Sequence, residues 1–293
     1  MAGSYFGRSL AVSGYAVRQM RADEVGLAID WAAAEGWNPG LHDGELFYAT
    51  DPDGFFLGTL DGEPVACLSG VAYDESYGFL GLYIVKPEHR GKGFGLGIWQ
   101  RATEYLGGRN VGLDGVLEQQ ANYERSGFTL AYRNVRYAGR RPPVTPPRDA
   151  DLVPISEVAF EELLRYDTAH FPAPRRDFLE RWTAQPDSAA VALRRGGALA
   201  GFGVVRTCRS GYKIGPLLAD DDDAADALFL ALGGHVEEGA PLSLDVPEPN
   251  REAVRLVESY GMTPSFETVR MYSRGEPEVG LERVFGVTTF ELG

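Results

Sequence analysis

A basic, glycine-punctuated turn between a predicted strand and a predicted helix is the part of this sequence best suited to chemistry. The apolar run from Phe79 to Val85 predicts a buried strand, which Pro87 ends. The turn spans Arg90 to Gly95, and apolar residues then recur at helical spacing as far as Leu106. Backbone N–H groups at such a helix start, together with the helix dipole and two cationic side chains, form a site for phosphate.

Two common nucleotide-binding patterns do not fit this turn. The third glycine of a dinucleotide fingerprint would fall on Leu96 or Ile98, and no Gly-Lys-Ser/Thr follows at the spacing of a P-loop. The pattern that fits is Arg-x-x-Gly-x-Gly, at Arg90, Gly93 and Gly95. It resembles the pyrophosphate loop of the GNAT acetyltransferases, and an ordinary strand-to-helix turn is the alternative. The resemblance implies acetyl-CoA as cofactor, held by Leu82, Tyr83, Ile84, Val85, Arg90, Gly91, Lys92, Gly93, Phe94, Gly95 and Leu96.

A tyrosine further along the chain has the chemistry to complete acyl transfer. Tyr123 lies four residues before Gly127-Phe128, between predicted strands at 110–116 and 129–137. In the GNAT family a tyrosine here lies near the sulfur of coenzyme A, which implies that Tyr123 protonates the leaving thiolate. A phenol with a pKa of about 10 can return a proton to a thiolate whose ordinary pKa is about 8.5. A packing role is the alternative, and Val116 and Gln120 depart from residues common in the family.

The base that accepts the proton of the attacking amine is not evident. The resemblance implies direct attack on a thioester whose carbonyl is polarised by backbone N–H groups of the strand. Many GNAT enzymes have a carboxylate on or near that strand, but residues 81–85 contain none. Asp114 and Glu118, at and just beyond the end of the next predicted strand, are the candidates. The alternatives are a turn residue for Asp114 and a solvated carboxylate for Glu118.

Candidates for the acceptor site come from the first two helices and from the hairpin before the strand. Trp37 could form an aromatic wall against the acceptor or fill the core. The hairpin often borders the acceptor cleft in this fold, although a solvated turn is the simpler interpretation. The candidate acceptor residues are Trp37, Asn38, Asp43, Tyr73 and Tyr77.

Composition limits the classes of protein that this chain can represent. Its 293 residues suit two domains, and no segment has the roughly 20 apolar residues of a membrane span. The net charge of −14 disfavours nucleic acid and would attract a cationic small molecule or a basic peptide, with solubility alone as the alternative. The four histidines lack metal-ligand spacing, so we expect no metal. Because the N-terminus has no apolar signal segment, we expect a cytoplasmic protein. We expect a monomer or a homodimer.

A proline-rich segment divides the chain. Four prolines fall within positions 142–147, where they exclude a helix or a central strand and favour a semi-rigid linker. The predicted division is a flexible tail at 1–13, a catalytic domain at 14–139, the linker at 140–150 and a second domain at 151–293. The alternation of strands and helices predicts an α/β layered fold. The resemblance to the GNAT family implies mostly antiparallel mixed central sheets flanked by helices.

The second half repeats the first but lacks its chemical groups. Identical offsets separate Gly127 from Arg136 and Gly261 from Arg270. Where the first half has the glycine turn, the second has four consecutive aspartates at 220–223, which suit a helix start and repel pyrophosphate. This resembles a bacterial group of two-domain GNAT proteins with an intact first domain and a degenerate second one. The shared features include the tail Phe290-Glu291-Leu292-Gly293.

Three functions are compatible with these patterns. The leading hypothesis is an acetyl-CoA-dependent N-acetyltransferase acting on a primary amine of a small molecule or amino-acid-like acceptor. The alternatives are a protein or peptide lysine acetyltransferase and a non-catalytic acyl-CoA sensor, although the intact turn and Tyr123 argue against a sensor. We also expect the second domain to shape the acceptor site between the halves, because pockets favour domain interfaces. The identity of the acceptor and the length of the acyl group stay open.

Overall fold

Both halves of the chain follow the same order of strands and helices in the computed structural model, which describes residues 13–143 and 145–293. The first half contains β1 (Tyr15–Gln19), α1 (Val25–Ala34), α2 (Asp43–Thr50), β2 (Phe55–Leu60), β3 (Glu63–Ala72), β4 (Tyr77–Val85), α3 (Phe94–Tyr105), β5 (Asn110–Val116), α4 (Gln120–Arg125) and β6 (Thr129–Arg140). The second contains β7 (Asp151–Pro154), α5 (Phe160–Thr168), α6 (Arg176–Thr183), β8 (Ser188–Arg195), β9 (Ala198–Thr207), β10 (Tyr212–Ala219), α7 (Asp222–Gly233), β11 (Pro241–Pro247), α8 (Arg251–Ser259), β12 (Thr263–Tyr272) and β13 (Val284–Gly286).

The predicted tail and linker border the first half of the chain. The predicted tail at 1–13 lies outside the described residues except for Ser13. Strand β6 continues to Arg140, so the connection to β7 begins one residue later than the predicted linker. The aspartate run caps α7 as predicted, because the Asp221 carboxylate accepts a hydrogen bond of 2.9 Å from the backbone N–H of Ala224.

The strands form one thirteen-stranded sheet in which the two halves exchange strands. The order is β1-β2-β3-β4-β5-β12-β6-β11-β10-β9-β8-β7, with β13 beside β10. Strand β12 of the second half thus lies between β5 and β6, and β6 of the first half pairs with β11. Most pairs are antiparallel, while β4–β5 and β10–β11 are parallel. The predicted mixed, mostly antiparallel α/β architecture is confirmed, but the two repeats share one sheet.

Two buried ion pairs cross between the halves at equivalent positions. Arg136 on β6 binds Asp245 on β11 through contacts of 2.6 and 2.8 Å. Arg270 on β12 binds Asp114 on β5 through contacts of 2.8 and 2.6 Å. Each pair joins the arginine of one repeat to the aspartate of the other. Removing one partner of such a pair leaves a buried charge without compensation, at a cost of about 3–5 kcal/mol.

An apolar core also crosses the boundary between the halves. Trp182 on α6 is fully buried and stacks on Phe178, and its ring centroid lies 6.2 Å from that of Phe47 on α2. The indole N–H of Trp182 donates a hydrogen bond of 2.9 Å to the carbonyl of Gly215 on β10. The first two helices are therefore packed against the second half of the chain.

Candidate active site

The parallel strands β4 and β5 separate part-way along their length and open a cleft. They pair from Tyr77 with Asn110 to Leu80 with Leu113, and beyond that point they diverge. A bulge on β4 marks the divergence, where Leu82 has a φ of +48° and two residues of β4 oppose one of β3. The edge of β4 that faces β5 is therefore free to hydrogen-bond an extended ligand.

The glycine turn meets the open end of this cleft. Gly93 precedes α3 with a φ of +88°, a left-handed conformation that favours glycine. Among the described residues, apart from each glycine and its chain neighbours, no atom lies within 4 Å of the position that a Cβ would take at Gly91 or Gly93. The start of α3 is therefore open to a ligand. Arg90 fixes the turn, because its Nε donates 2.9 Å to the carbonyl of Val85 and its guanidinium pairs with Glu35.

Most residues predicted to hold the cofactor line one cleft of about 410 Å³, a volume typical of ligand sites. Lys92 is absent from the cleft wall; it lies on the exposed side of the turn and donates 2.8 Å to the carbonyl of Glu88. The predicted cofactor residues that line the cleft are Leu82, Tyr83, Ile84, Val85, Arg90, Gly91, Gly93, Phe94, Gly95 and Leu96.

Tyr123 lines the same cleft from α4. Its side chain is 7% exposed, and its ring packs 5.6 Å from that of Trp99 on α3. Burial, with a smaller contribution from Tyr83, raises the pKa of Tyr123 well above the ordinary value of a tyrosine. The hydroxyl is therefore protonated at neutral pH and can act as a proton donor.

The two carboxylates predicted as bases differ in position. Asp114 borders the cleft, but its carboxylate is held by Arg270 and also accepts 2.8 Å from the side-chain amide of Asn134. The equivalent Asp245 makes the same kind of pair in the half without a glycine turn, which favours a structural role for both. Glu118 is exposed and is not part of the cleft wall.

Of the five candidate acceptor residues, Trp37 lines the cleft and the other four hold the halves together. Asn38 exchanges two hydrogen bonds with the backbone of Ser210, at 2.8 and 2.9 Å. Asp43 is fully buried and binds Arg206 at 3.0 Å. Tyr73 and Tyr77 pack on Phe171 of the second half, away from the cleft wall.

The second half contributes part of the cleft wall that the sequence did not identify. Phe266 and Thr268 come from the exchanged strand β12, and Phe290 and Glu291 come from the C-terminal tail. The tail passes so close to β4 that a Cβ on Gly81 would lie 1.9 Å from the carbonyl oxygen of Glu291. In the sequence, the tail Phe290-Glu291-Leu292-Gly293 carries a family resemblance but no local pattern that indicates a role.

Comparisons with known proteins agree with this geometry. A model described as "Acetyltransferase (GNAT) family" matches residues 25–128, and one described as "Acetyltransferase (GNAT) domain" matches residues 163–286. The holothin acyltransferase of Pseudoalteromonas sp. (strain SANK 73390) is 31% identical over 272 residues, which cover 92% of each protein. The chain belongs to the GNAT acyltransferase family. It is a tandem GNAT enzyme, since both halves match.

Solved structures share the fold of this tandem GNAT acyltransferase at low sequence identity. A Pyrococcus horikoshii protein provisionally described as an acetyltransferase superposes with a TM-score of 0.83 at 21% identity, over 99% of this chain and 100% of that one. A tandem GNAT protein from the clavulanic acid biosynthesis pathway gives 0.63 at 14% identity, over 90% and 99%. No helix within the described ranges is long and apolar enough to cross a membrane.

In the second GNAT repeat, the chain itself fills the space between the parallel strands. Strand β13 pairs with β10 from Leu217 to Leu218, and the N–H of Val287 donates 2.9 Å to the carbonyl of Asp245 on β11. Phe285 is 1% exposed within this filling, and the side-chain amide of Asn250 donates 3.0 Å to the carbonyl of Val284. The place equivalent to the cleft of the first half is thus occupied by the segment that leads into the tail.

Proposed function

We propose that this chain transfers an acetyl group from acetyl-CoA to a primary amine of a small molecule by direct attack. The observation that supports this most strongly is that the glycine turn, the free edge of β4 and Tyr123 all line one cleft. The turn offers N–H groups to a diphosphate, the strand offers N–H groups to a carbonyl, and the tyrosine offers a proton.

The residues of the cleft fit coenzyme A in charge and in shape. The open start of α3 at Gly93 suits a diphosphate through its backbone N–H groups, and Arg90, paired with Glu35, lies beside it. When bound, acetyl-CoA would supply the activated acyl group as a thioester. The chain supplies the backbone of Leu82 to Val85 as the binding edge and the Tyr123 hydroxyl as the proton donor.

A small acceptor fits the rest of the cleft better than a protein side chain does. Trp37, Phe266 and Phe290 supply three aromatic surfaces, and Glu291 adds a buried carboxylate that suits an amine. Both halves of the chain contribute to these walls, so the acceptor would be surrounded by side chains of both repeats. The relative from Pseudoalteromonas is named for acyl transfer to holothin, which makes holothin a suitable first acceptor to assay.

The proposal can be tested by thiol release from acetyl-CoA with holothin, tyramine, free amino acids and a lysine-containing peptide as acceptors. We expect turnover with a small amine and little with the peptide. Propionyl-CoA and butyryl-CoA in the same assay would define the acyl length. Tight binding of acetyl-CoA without thiol release for any acceptor would instead support the sensor function, and preferential turnover of the peptide would support the lysine acetyltransferase.

A further inference from the structure

A buried carboxylate in the C-terminal tail has no hydrogen-bond partner on one of its oxygens. Glu291 is 3% exposed, and its Oε2 has no partner among the described residues. The side chain nevertheless lines the cleft that contains the glycine turn and Tyr123. A buried carboxylate oxygen without a partner is costly, so its retention calls for an explanation in terms of a ligand.

The backbone of the tail is held in place on both sides of Glu291. The Thr289 hydroxyl accepts hydrogen bonds from the N–H groups of Glu291 and Leu292, at 3.1 and 2.9 Å. The Tyr73 hydroxyl donates 2.8 Å to the carbonyl of Leu292. Gly81 allows the tail to approach β4 next to the bulge, where the free edge of the strand begins. Glu291 is therefore fixed beside the strand that would hold the thioester.

The charged groups around Glu291 are largely paired with one another. Asp43 on α2 binds Arg206 on β9, and Arg136 on β6 binds Asp245 on β11. Within these pairs, Asp43 raises the pKa of Glu291, whereas Arg136 and Arg206 lower it.

Lys213 on β10 is the remaining buried charge near Glu291. Its ammonium group lies 3.5 Å from the carbonyl of Trp37 and makes no ion pair within 4 Å among the described residues. Burial, assisted by Asp43, raises the pKa of Glu291 above its ordinary value despite the opposing effect of Lys213 and the two arginines. A carboxylate with a raised pKa is a stronger base than an exposed one.

We propose that Glu291 accepts the proton of the acceptor amine during acyl transfer. The inference rests on the proposed function of this cleft. The amine nitrogen forms a bond to the acyl carbon and gives its proton to the Glu291 carboxylate. The bond from the acyl carbon to sulfur breaks, and its electron pair stays on sulfur, which takes the proton of the Tyr123 hydroxyl. The proton on Glu291 then returns through solvent to Tyr123, so that both residues are restored.

Glu291 satisfies requirements that the other carboxylates near the cleft do not meet. Asp114 is neutralised by its bidentate contact with Arg270. Glu118 is exposed and outside the cleft wall, and Glu35 pairs with Arg90 at the turn. A base delivered by the tail would also explain why the strand residues 81–85 carry no carboxylate.

The kinetic test compares Glu291→Gln with Glu282→Gln, a matched change at an exposed glutamate earlier in the same C-terminal segment. With acetyl-CoA and holothin or tyramine, we expect Glu291→Gln to lower kcat by about 10²- to 10⁴-fold, as for loss of a general base. The fall of kcat/KM at low pH should be absent in Glu291→Gln. Glu282→Gln should match the parent in both kcat and the pH dependence of kcat/KM. Parental kcat and an unchanged acidic limb in Glu291→Gln, or a selective loss in Glu118→Gln, would overturn the assignment.

Thermal unfolding separates a catalytic role from a structural one without any acceptor. A raised carboxyl pKa favours folding at low pH, and that contribution is lost as the pH rises through the folded-state pKa. At pH 8 the ionised Glu291 is therefore unfavourable, and Glu291→Gln should melt at the same temperature as the parent or higher. A lower Tm at pH 8 with parental turnover would mean that Glu291 only balances Lys213.

A third measurement keeps the inference distinct from the proposed function. Calorimetry with acetyl-CoA should give the same affinity for the parent and for Glu291→Gln, because the carboxylate contacts the acceptor rather than the coenzyme. Failure of the parent to bind acetyl-CoA would reject the proposed function itself. Equal binding and equal turnover in both proteins would reject only the role of Glu291.

Discussion

At the scale of single residues, Tyr123 illustrates how burial prepares a side chain for chemistry. Its hydroxyl keeps its proton because burial disfavours the phenolate, yet the side chain still borders the cleft. We predict that Tyr123→Phe lowers kcat by about 10²- to 10⁴-fold, the usual contribution of a general acid. Affinity for acetyl-CoA should change little, because the ring that packs on Trp99 is kept.

The measurement is kcat by thiol release, with coenzyme affinity by calorimetry. Tyr260→Phe is the control, since it likewise removes one tyrosine hydroxyl, which donates 2.6 Å to Asp226 in the second half and does not line the cleft. Turnover at the parental rate in Tyr123→Phe would assign the tyrosine to packing and the proton to solvent.

The sequence is most informative about candidate site residues where a local pattern determines the conformation of the backbone. Gly93 and Gly95 and the residues of β4 are recognisable because strand, turn and helix follow one another in the chain. Asn38 and Asp43 are polar and were predicted for the acceptor site, but their hydrogen-bond partners lie 172 and 163 residues away in the chain. Contacts between residues so far apart in the chain cannot be predicted from the local spacing of residue types.

At the scale of elements, β13 explains why one coenzyme site is expected in a chain with two GNAT repeats. The edge of β10 that corresponds to the free edge of β4 is paired with β13, and Phe285 fills the space that a ligand would need. The aspartates at the start of α7 add negative charge where the first repeat offers a glycine turn. We therefore predict that calorimetry gives one acetyl-CoA per chain.

Gly93→Glu should abolish that single binding event. A side chain at a φ of +88° costs about 1–2 kcal/mol and would bring a carboxylate into the phosphate site. Gly239→Glu is a matched control, because Gly239 also has a positive φ of 72° and open space around it but lies in the second half. A stoichiometry of two, or residual binding of one equivalent in Gly93→Glu, would mean that the second repeat retains a site.

The individual strands and helices were largely predictable from the sequence, whereas the order of the strands in the sheet was not. The predicted strand at 110–116 coincides with β5, and β4 begins two residues before the predicted strand at 79–85. Alternation of apolar residues identifies a strand and its buried face, but it does not specify which strand lies beside it. Strands β6 and β12 look alike in sequence because they are repeats, so the exchange between β5, β12 and β6 became apparent only in the structure.

At the scale of the whole molecule, the exchange makes the two repeats a single folding unit. Strand β12 pairs with β5 and β6, and Arg136 and Arg270 each bind an aspartate of the other half. A chain that ends near Arg141 would lack β12, the neighbour of both β5 and β6. It would also leave the charges of Asp114 and Arg136 without their partners. Such a truncated chain should therefore aggregate rather than bind acetyl-CoA on its own.

Cutting the linker should leave an active protein, in contrast to removing the second half. We predict that a protease site inserted after Thr145 can be cut while the halves stay together on gel filtration and retain acyl transfer, because the shared sheet persists. An equal insertion in the turn at Gly196–Gly197, cut in the same way, controls for nicking within one half. Separation of the cut halves under native conditions, or a soluble 13–141 fragment that binds acetyl-CoA, would show that the first repeat folds alone. In that case the second half would be an accessory to the coenzyme site rather than part of its sheet.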